Sequence, residues 1–118
     1  MRVAGLGFRT GARLESLRDA LAGAEVNALA TVADKAADPA LRALAEVLGV
    51  EIIPVPAERL AGMETLTHSA RAWARYRTGS LAEAAALCAA GPGARLVGAR
   101  AASPDRLAMV AIAERSGA

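Results

Sequence analysis

The sequence predicts a single-domain α/β three-layer sandwich: a mainly parallel sheet with helices on both faces and an antiparallel strand pair at the C-terminal end. Short apolar runs alternate along the chain with segments whose leucines and alanines recur every three or four residues. Helix punctuation separates them, with Asp38-Pro39 and Ser80-Leu81-Ala82-Glu83 as starts and Gly23, Gly49 and Gly91 as stops. The 118 residues suffice for one core and none reads as a linker, so residues 1–118 are expected to form one domain.

Val3 to Leu6 is a continuous apolar run ended by glycine, the pattern of a strand buried on both faces. Leu14, Leu17 and Leu21 mark the inner face of the first helix, and Ala28 to Val32 is a second strand. At the next helix Asp38 caps and Pro39 takes the first position, where a missing N–H does no harm; Leu41, Leu44, Ala45 and Leu48 form its buried stripe. Glu51 to Val55 follows as a strand whose Pro54 suits a sheet edge.

Ala57 to Leu60 reads as a short helix, Gly62 to Thr67 as a loop and Ser69 to Tyr76 as a polar helical segment. Ser80 to Glu83 is a capping box opening a helix to about Ala90, with Leu81, Ala84, Ala85 and Cys88 on one face, and Gly91-Pro92-Gly93 stops it. Arg95 to Ala99 and Leu107 to Ala113 then pair as antiparallel strands around the turn Ser103-Pro104-Asp105. Ser116-Gly117-Ala118 is expected to fray.

The apolar content of 54% is spread in runs far shorter than a membrane span, and no signal sequence opens the chain, so a cytoplasmic protein without a membrane partner is expected. The single cysteine, Cys88, precludes an internal disulfide or a multi-thiolate metal site. Basic residues exceed acidic ones by only two, with the acids interspersed, which does not suit a general nucleic-acid binder. A small acidic ligand fits this balance.

Gly5-Leu6-Gly7-Phe8-Arg9-Thr10-Gly11 lies between the first strand and the first helix. Glycines let a ligand approach the main chain, and a helix start offers unpaired N–H groups, so this stretch with Arg9 is a candidate anion site. Right-handed crossovers put the strand-to-helix loops along one sheet edge, which places Asp34-Lys35-Ala36 and Arg100 on the same rim. A dinucleotide fingerprint fails here. Gly5 and Gly7 fit, but Thr10 stands where the third glycine belongs and Gly11 is one residue late, although Asp34 lies near the position of a ribose-binding acid. No Walker-type lysine motif is present and no cofactor is implied.

Gly5 to Gly11, then Leu29-Ala30-Thr31 with Asp34-Lys35-Ala36, Leu44-Ala45 with Leu48-Gly49, and Gly79 through Leu87 follow one another in an order that resembles the CobE/CbiG C-terminal family of cobalamin biosynthesis. The resemblance spans nearly the whole chain. It implies an α/β domain in the corrin-ring branch of vitamin B12 synthesis. In the anaerobic route such a domain ends a larger cobalt-precorrin hydrolase that opens a ring lactone. A chain of this length is more similar to the CobE type of the aerobic route, for which a corrinoid-binding or carrier role is implied. The family's glycine stretch usually has a cysteine where this chain has Phe8 and a basic residue where it has Thr10; a lysine near the end of the fourth strand appears as Arg100. Those departures favour anion binding over thiol chemistry.

The resemblance therefore implies a precorrin or corrinoid ligand, an apolar ring edged with carboxylates. Gly5, Gly7, Phe8, Arg9, Thr10, Gly11, Asp34, Lys35 and Arg100 are the expected binding residues, with no metal site. Trp73 reads as a packing anchor and the arginines of its helix as a solvated face. Two other readings stay open: a small hydrolase or isomerase using Asp34, Lys35 or His68, and a scaffold that binds another corrin-pathway enzyme.

Overall fold

Residues 1–116 are described by a computed structural model. Of the expected frayed end Ser116-Gly117-Ala118, the last two residues lie outside that range. Strand β1 (Arg2–Phe8) leads to helix α1 (Leu14–Leu21), strand β2 (Ala28–Val32), a 3-10 turn (Ala33–Lys35), helix α2 (Pro39–Leu48) and strand β3 (Glu51–Val55). Helices α3 (Ala57–Leu60), α4 (Ala70–Tyr76) and α5 (Leu81–Ala90) follow, then strands β4 (Arg95–Leu96), β5 (Ala101–Ala102) and β6 (Ala108–Glu114).

The sheet runs β3-β2-β1-β6-β4, with β5 also on β6. β1, β2 and β3 are parallel, and β6 runs antiparallel to β1, β4 and β5. The expected C-terminal antiparallel strands are present, but the segment Arg95 to Ala99 is a strand only at Arg95–Leu96, with Val97 N still bonded to Ile112 O at 2.8 Å before the chain bends. β6 also does more than pair with β4: it inserts beside β1 along the whole of that strand, from Arg2 opposite Glu114 to Phe8 opposite Ala108. β3 is an edge strand, which is where Pro54 costs no ladder hydrogen bond.

Two apolar layers flank the sheet. Leu6, Phe8, Leu17, Leu29, Leu41 and Leu44 pack beneath α1 and α2. Val3, Ala30, Val32, Val55, Leu60, Tyr76 and the alanines of α5 form the opposite layer. Full burial of each leucine contributes about 1.5–3 kcal/mol, and local signals fix the helix ends that deliver them. Asp38 accepts from Ala40 N at 2.9 Å and Leu41 N at 3.4 Å, and Gly49 closes α2 with φ 70°.

α5 contributes alanine where the other helices contribute leucine, and this lets it lie directly on β1. A Cβ on Gly5 would sit 2.0 Å from Ala82 O and 2.6 Å from Ala86 N, both helix backbone that cannot swing aside. Gly5 is therefore a packing glycine. At Gly7 the same atom would meet Leu81 at an ordinary 3.5 Å. Gly5→Ala should cost about 3 kcal/mol or more by overpacking, whereas Gly7→Ala should stay within about 1 kcal/mol of the parent. Urea midpoints check this; equal stabilities of the two variants would contradict the close approach.

Candidate functional site

The parallel strands β1, β2 and β3 end on one edge, and the 3-10 turn after β2 places Lys35 there. Its ammonium donates to Phe8 O, a free carbonyl at the end of β1, and stands 4.9 Å from the centroid of the Phe8 ring. Burial holds the Lys35 pKa below its ordinary 10.5, Arg75 and Arg71 push it the same way, and Asp34 and Asp38 pull it back. Arg75 reaches Asp34 at 3.5 Å; both side chains are more than half exposed, so the pair is weak and exchangeable. The rim thus brings Lys35, Arg71 and Arg75 against two carboxylates.

The glycine-rich stretch is only partly a loop. Gly5, Gly7 and Phe8 lie inside β1, and Phe8 is a core side chain at 7% exposure, packed in the layer beneath α1 and α2 with Lys35 over its ring. The strand is longer than its apolar run because β6 pairs with it as far as Phe8. Arg9, Thr10 and Gly11 form the exposed turn beyond it, and Gly11 needs its glycine for φ 91°. Arg9 N is fixed by Leu107 O at 2.9 Å, and its side chain makes no hydrogen bond among the described residues. The start of α1 meets a carboxylate of the protein itself: Ser16 Oγ donates to Asp105 Oδ2 at 2.5 Å, and Ser103 Oγ and Leu107 N hold the other oxygen. These hydrogen bonds lower the Asp105 pKa to about 2.

Only half of the capping box that the sequence offered forms, because the Glu83 side chain is used elsewhere. Ser80 does cap α5, accepting from Glu83 N at 3.2 Å. The Glu83 carboxylate is fully buried and turns away from Ser80 to collect two loops. Its Oε1 accepts from Leu66 N at 2.7 Å and Thr67 N at 3.0 Å, and its Oε2 from Thr67 Oγ1 at 3.1 Å and Arg100 N at 2.9 Å. Arg100 is thereby tied by its backbone to the first turn of α5, the helix end that lies over Gly7, with its side chain half-exposed. No local spacing signals this role, since the partners are 16 and 17 residues away.

Trp73 is 46% exposed, against the expectation of a packing anchor, and leans on exposed His68 at 5.9 Å between ring centroids. Tyr76 is the aromatic of α4 that packs, with the Arg75 guanidinium 5.5 Å from its ring. Cys88 is half-buried and donates to Arg59 O at 3.2 Å; burial raises its pKa, which leaves it the thiol of a packing residue. Away from the rim, an open groove of about 1120 Å³ runs along α1 and the start of β2. Glu15, Asp19 and Glu25 there outnumber Arg2 and Arg18, which disfavours an acidic guest.

A three-layer sandwich with Lys35, Arg71 and Arg75 near the ends of its parallel strands defines the chain as a small α/β protein. The family described as cobalamin synthesis G C-terminus matches residues 2–113, and the chain belongs to that family of cobalamin biosynthesis proteins. CobE, a protein from the cobalamin (vitamin B12) biosynthetic pathway, has a similar crystal structure: TM-score 0.80 and 35% identity over 96% of this chain and 89% of that one. The cobalamin biosynthesis protein chiG of Agrobacterium tumefaciens str. C58 is similar at TM-score 0.73 and 34% identity, over 99% of this chain and 100% of that one. No match was found among the curated proteins. Among the described residues, no helix is long and apolar enough to cross a membrane.

Removing the Glu83 carboxylate strands three backbone donors at once. Glu83→Ala should cost about 3 kcal/mol or more, and amide exchange at Leu66, Thr67 and Arg100 should rise with it. Unchanged protection at those amides would contradict the clamp.

Proposed function

We propose that the chain serves corrin synthesis by binding an acidic precorrin or corrinoid intermediate at this rim, as a carrier or accessory factor in the cytoplasm that passes the ligand between pathway enzymes. The observation that carries the reading is Lys35, an ammonium anchored to the end of β1, half-desolvated and flanked by Arg75 and Arg71. Clustered cations repel one another, and a carboxylate guest relieves that repulsion while accepting charge-assisted hydrogen bonds. Arg9, one residue past Phe8 and with its side chain free of hydrogen bonds among the described residues, supplies a second contact from the same edge. Arg100 supplies another cation beside the start of α5.

Binding suits these groups better than acid–base chemistry. Lys35 is committed to Phe8 O, Asp34 is paired with Arg75, and His68 leans on Trp73 in a different loop. None of the three contacts another of them in a donor–acceptor pair that would pass a proton.

Hydrogenobyrinic acid, a metal-free corrin with carboxylate edges, is the probe. Its absorbance should shift at stoichiometric protein with its mass unchanged. Lys35→Ala should weaken binding about tenfold and Arg9→Ala less, as expected for charge-assisted contacts at a half-exposed edge. Binding needs the ammonium, so affinity should fall as pH rises and begin to do so below the ordinary lysine value of 10.5. Unchanged affinity in both variants would overturn the rim, and turnover of the corrin would favour an enzyme.

A further inference from the structure

Tyr76 presents a second kind of signal at the same edge. Its ring belongs to the core layer beneath α4 and the residue is only 9% exposed, yet its hydroxyl is buried without a hydrogen-bond partner among the described residues. A buried hydroxyl left unpaired costs stability, and phenylalanine would fill the same space without that cost. The groups around the oxygen are informative. Asp34 and Arg75 stand close enough to perturb its proton, although neither makes a hydrogen bond of good geometry with it. Burial first, and then the Asp34 carboxylate, raise the Tyr76 pKa, so the hydroxyl remains a donor across the physiological range.

Arg75 links the group together. It lies over the Tyr76 ring, pairs with Asp34 at 3.5 Å, and is the strongest cationic influence on Lys35. The 3.5 Å contact is long for a charge-assisted hydrogen bond, and the two exposed side chains lose little by parting. A carboxylate from outside would find a guanidinium, a nearby ammonium and a spare hydroxyl donor at one corner of the rim. In the unliganded protein that corner holds the carboxylate of Asp34.

We propose that Arg75, Lys35 and the Tyr76 hydroxyl form a carboxylate subsite, and that Asp34 is its internal occupant, displaced when a ligand carboxylate binds. This rests on the reading of the rim as a corrinoid site and adds to it the group that is recognised. Asp34 then acts as a competitor for Arg75.

Titration with hydrogenobyrinic acid, followed by absorbance, reads the subsite in three variants. Arg75→Ala should weaken binding about tenfold and Tyr76→Phe about three- to tenfold, from the loss of one charge-assisted and one hydroxyl donor. Asp34→Asn should tighten it about two- to fivefold, since it removes an exposed competing charge. The melting temperature of ligand-free Tyr76→Phe should equal or exceed that of the parent, a result that a purely structural hydroxyl would not give. A corrin whose edge carboxylates are converted to amides should bind the parent and the three variants alike.

If the parent binds the acid and Lys35→Ala weakens it while Arg75→Ala and Tyr76→Phe leave it unchanged, the subsite is refuted and the corrinoid reading survives. Weaker binding by Asp34→Asn would refute the displacement. If the parent fails to bind the acid, the corrinoid reading falls and takes the subsite with it.

Discussion

The backbone of α5 rests on the backbone of β1, and almost everything distinctive about this domain depends on that contact. It is possible because Gly5 has no side chain where Ala82 O and Ala86 N come down on it. Ordinary helix-on-sheet packing is spaced by leucine and isoleucine side chains, and the opposite face of this sheet is built that way with Leu17, Leu41 and Leu44. On the α5 face, alanines and one glycine replace those spacers. The first turn of α5 is thereby set against the end of β1, within contact of Gly7.

That placement has consequences at both ends of the first turn. Glu83 is fully buried because the helix is so close to the sheet, and a buried carboxylate has to be satisfied by fixed donors. It finds them in the loops at 66–67 and 100, which are thereby held to α5 although neither is part of a helix or strand. The N-terminal position in α5 also favours the negative charge. On the other side, β1 stops at Phe8 with a carbonyl that no strand claims, and Lys35 takes it. The rim is thus assembled from separate elements, Lys35 on the turn after β2 and Arg75 on α4.

Much of the architecture was legible in the sequence because it is signalled locally. Asp38-Pro39, Gly49 and the leucine spacing in α1 and α2 each act through a few neighbouring residues, and the elements form where those signals stand. The glycine stretch was harder to read. Glycine signals both a turn and a close approach, and Gly5 serves the second purpose while Gly11 serves the first. Glu83 looked complete as a cap since its long-range partners leave no trace in spacing. Trp73 was expected to be buried on general grounds, but the buried position on α4 falls to Tyr76, on the same face as Ala72. The convergence of Lys35 with the end of β1 followed from parallel topology alone; Arg75 and Tyr76 reach that edge through α4, whose placement has no local code.

The rim account is tested most directly by amide chemical-shift mapping of the labelled protein during titration with hydrogenobyrinic acid. The account places the largest perturbations at Phe8 to Gly11, Asp34 to Ala36 and Arg75 to Tyr76, with the groove along α1 unaffected. Perturbations confined to Glu15 to Asn27, with those three segments silent, would contradict it.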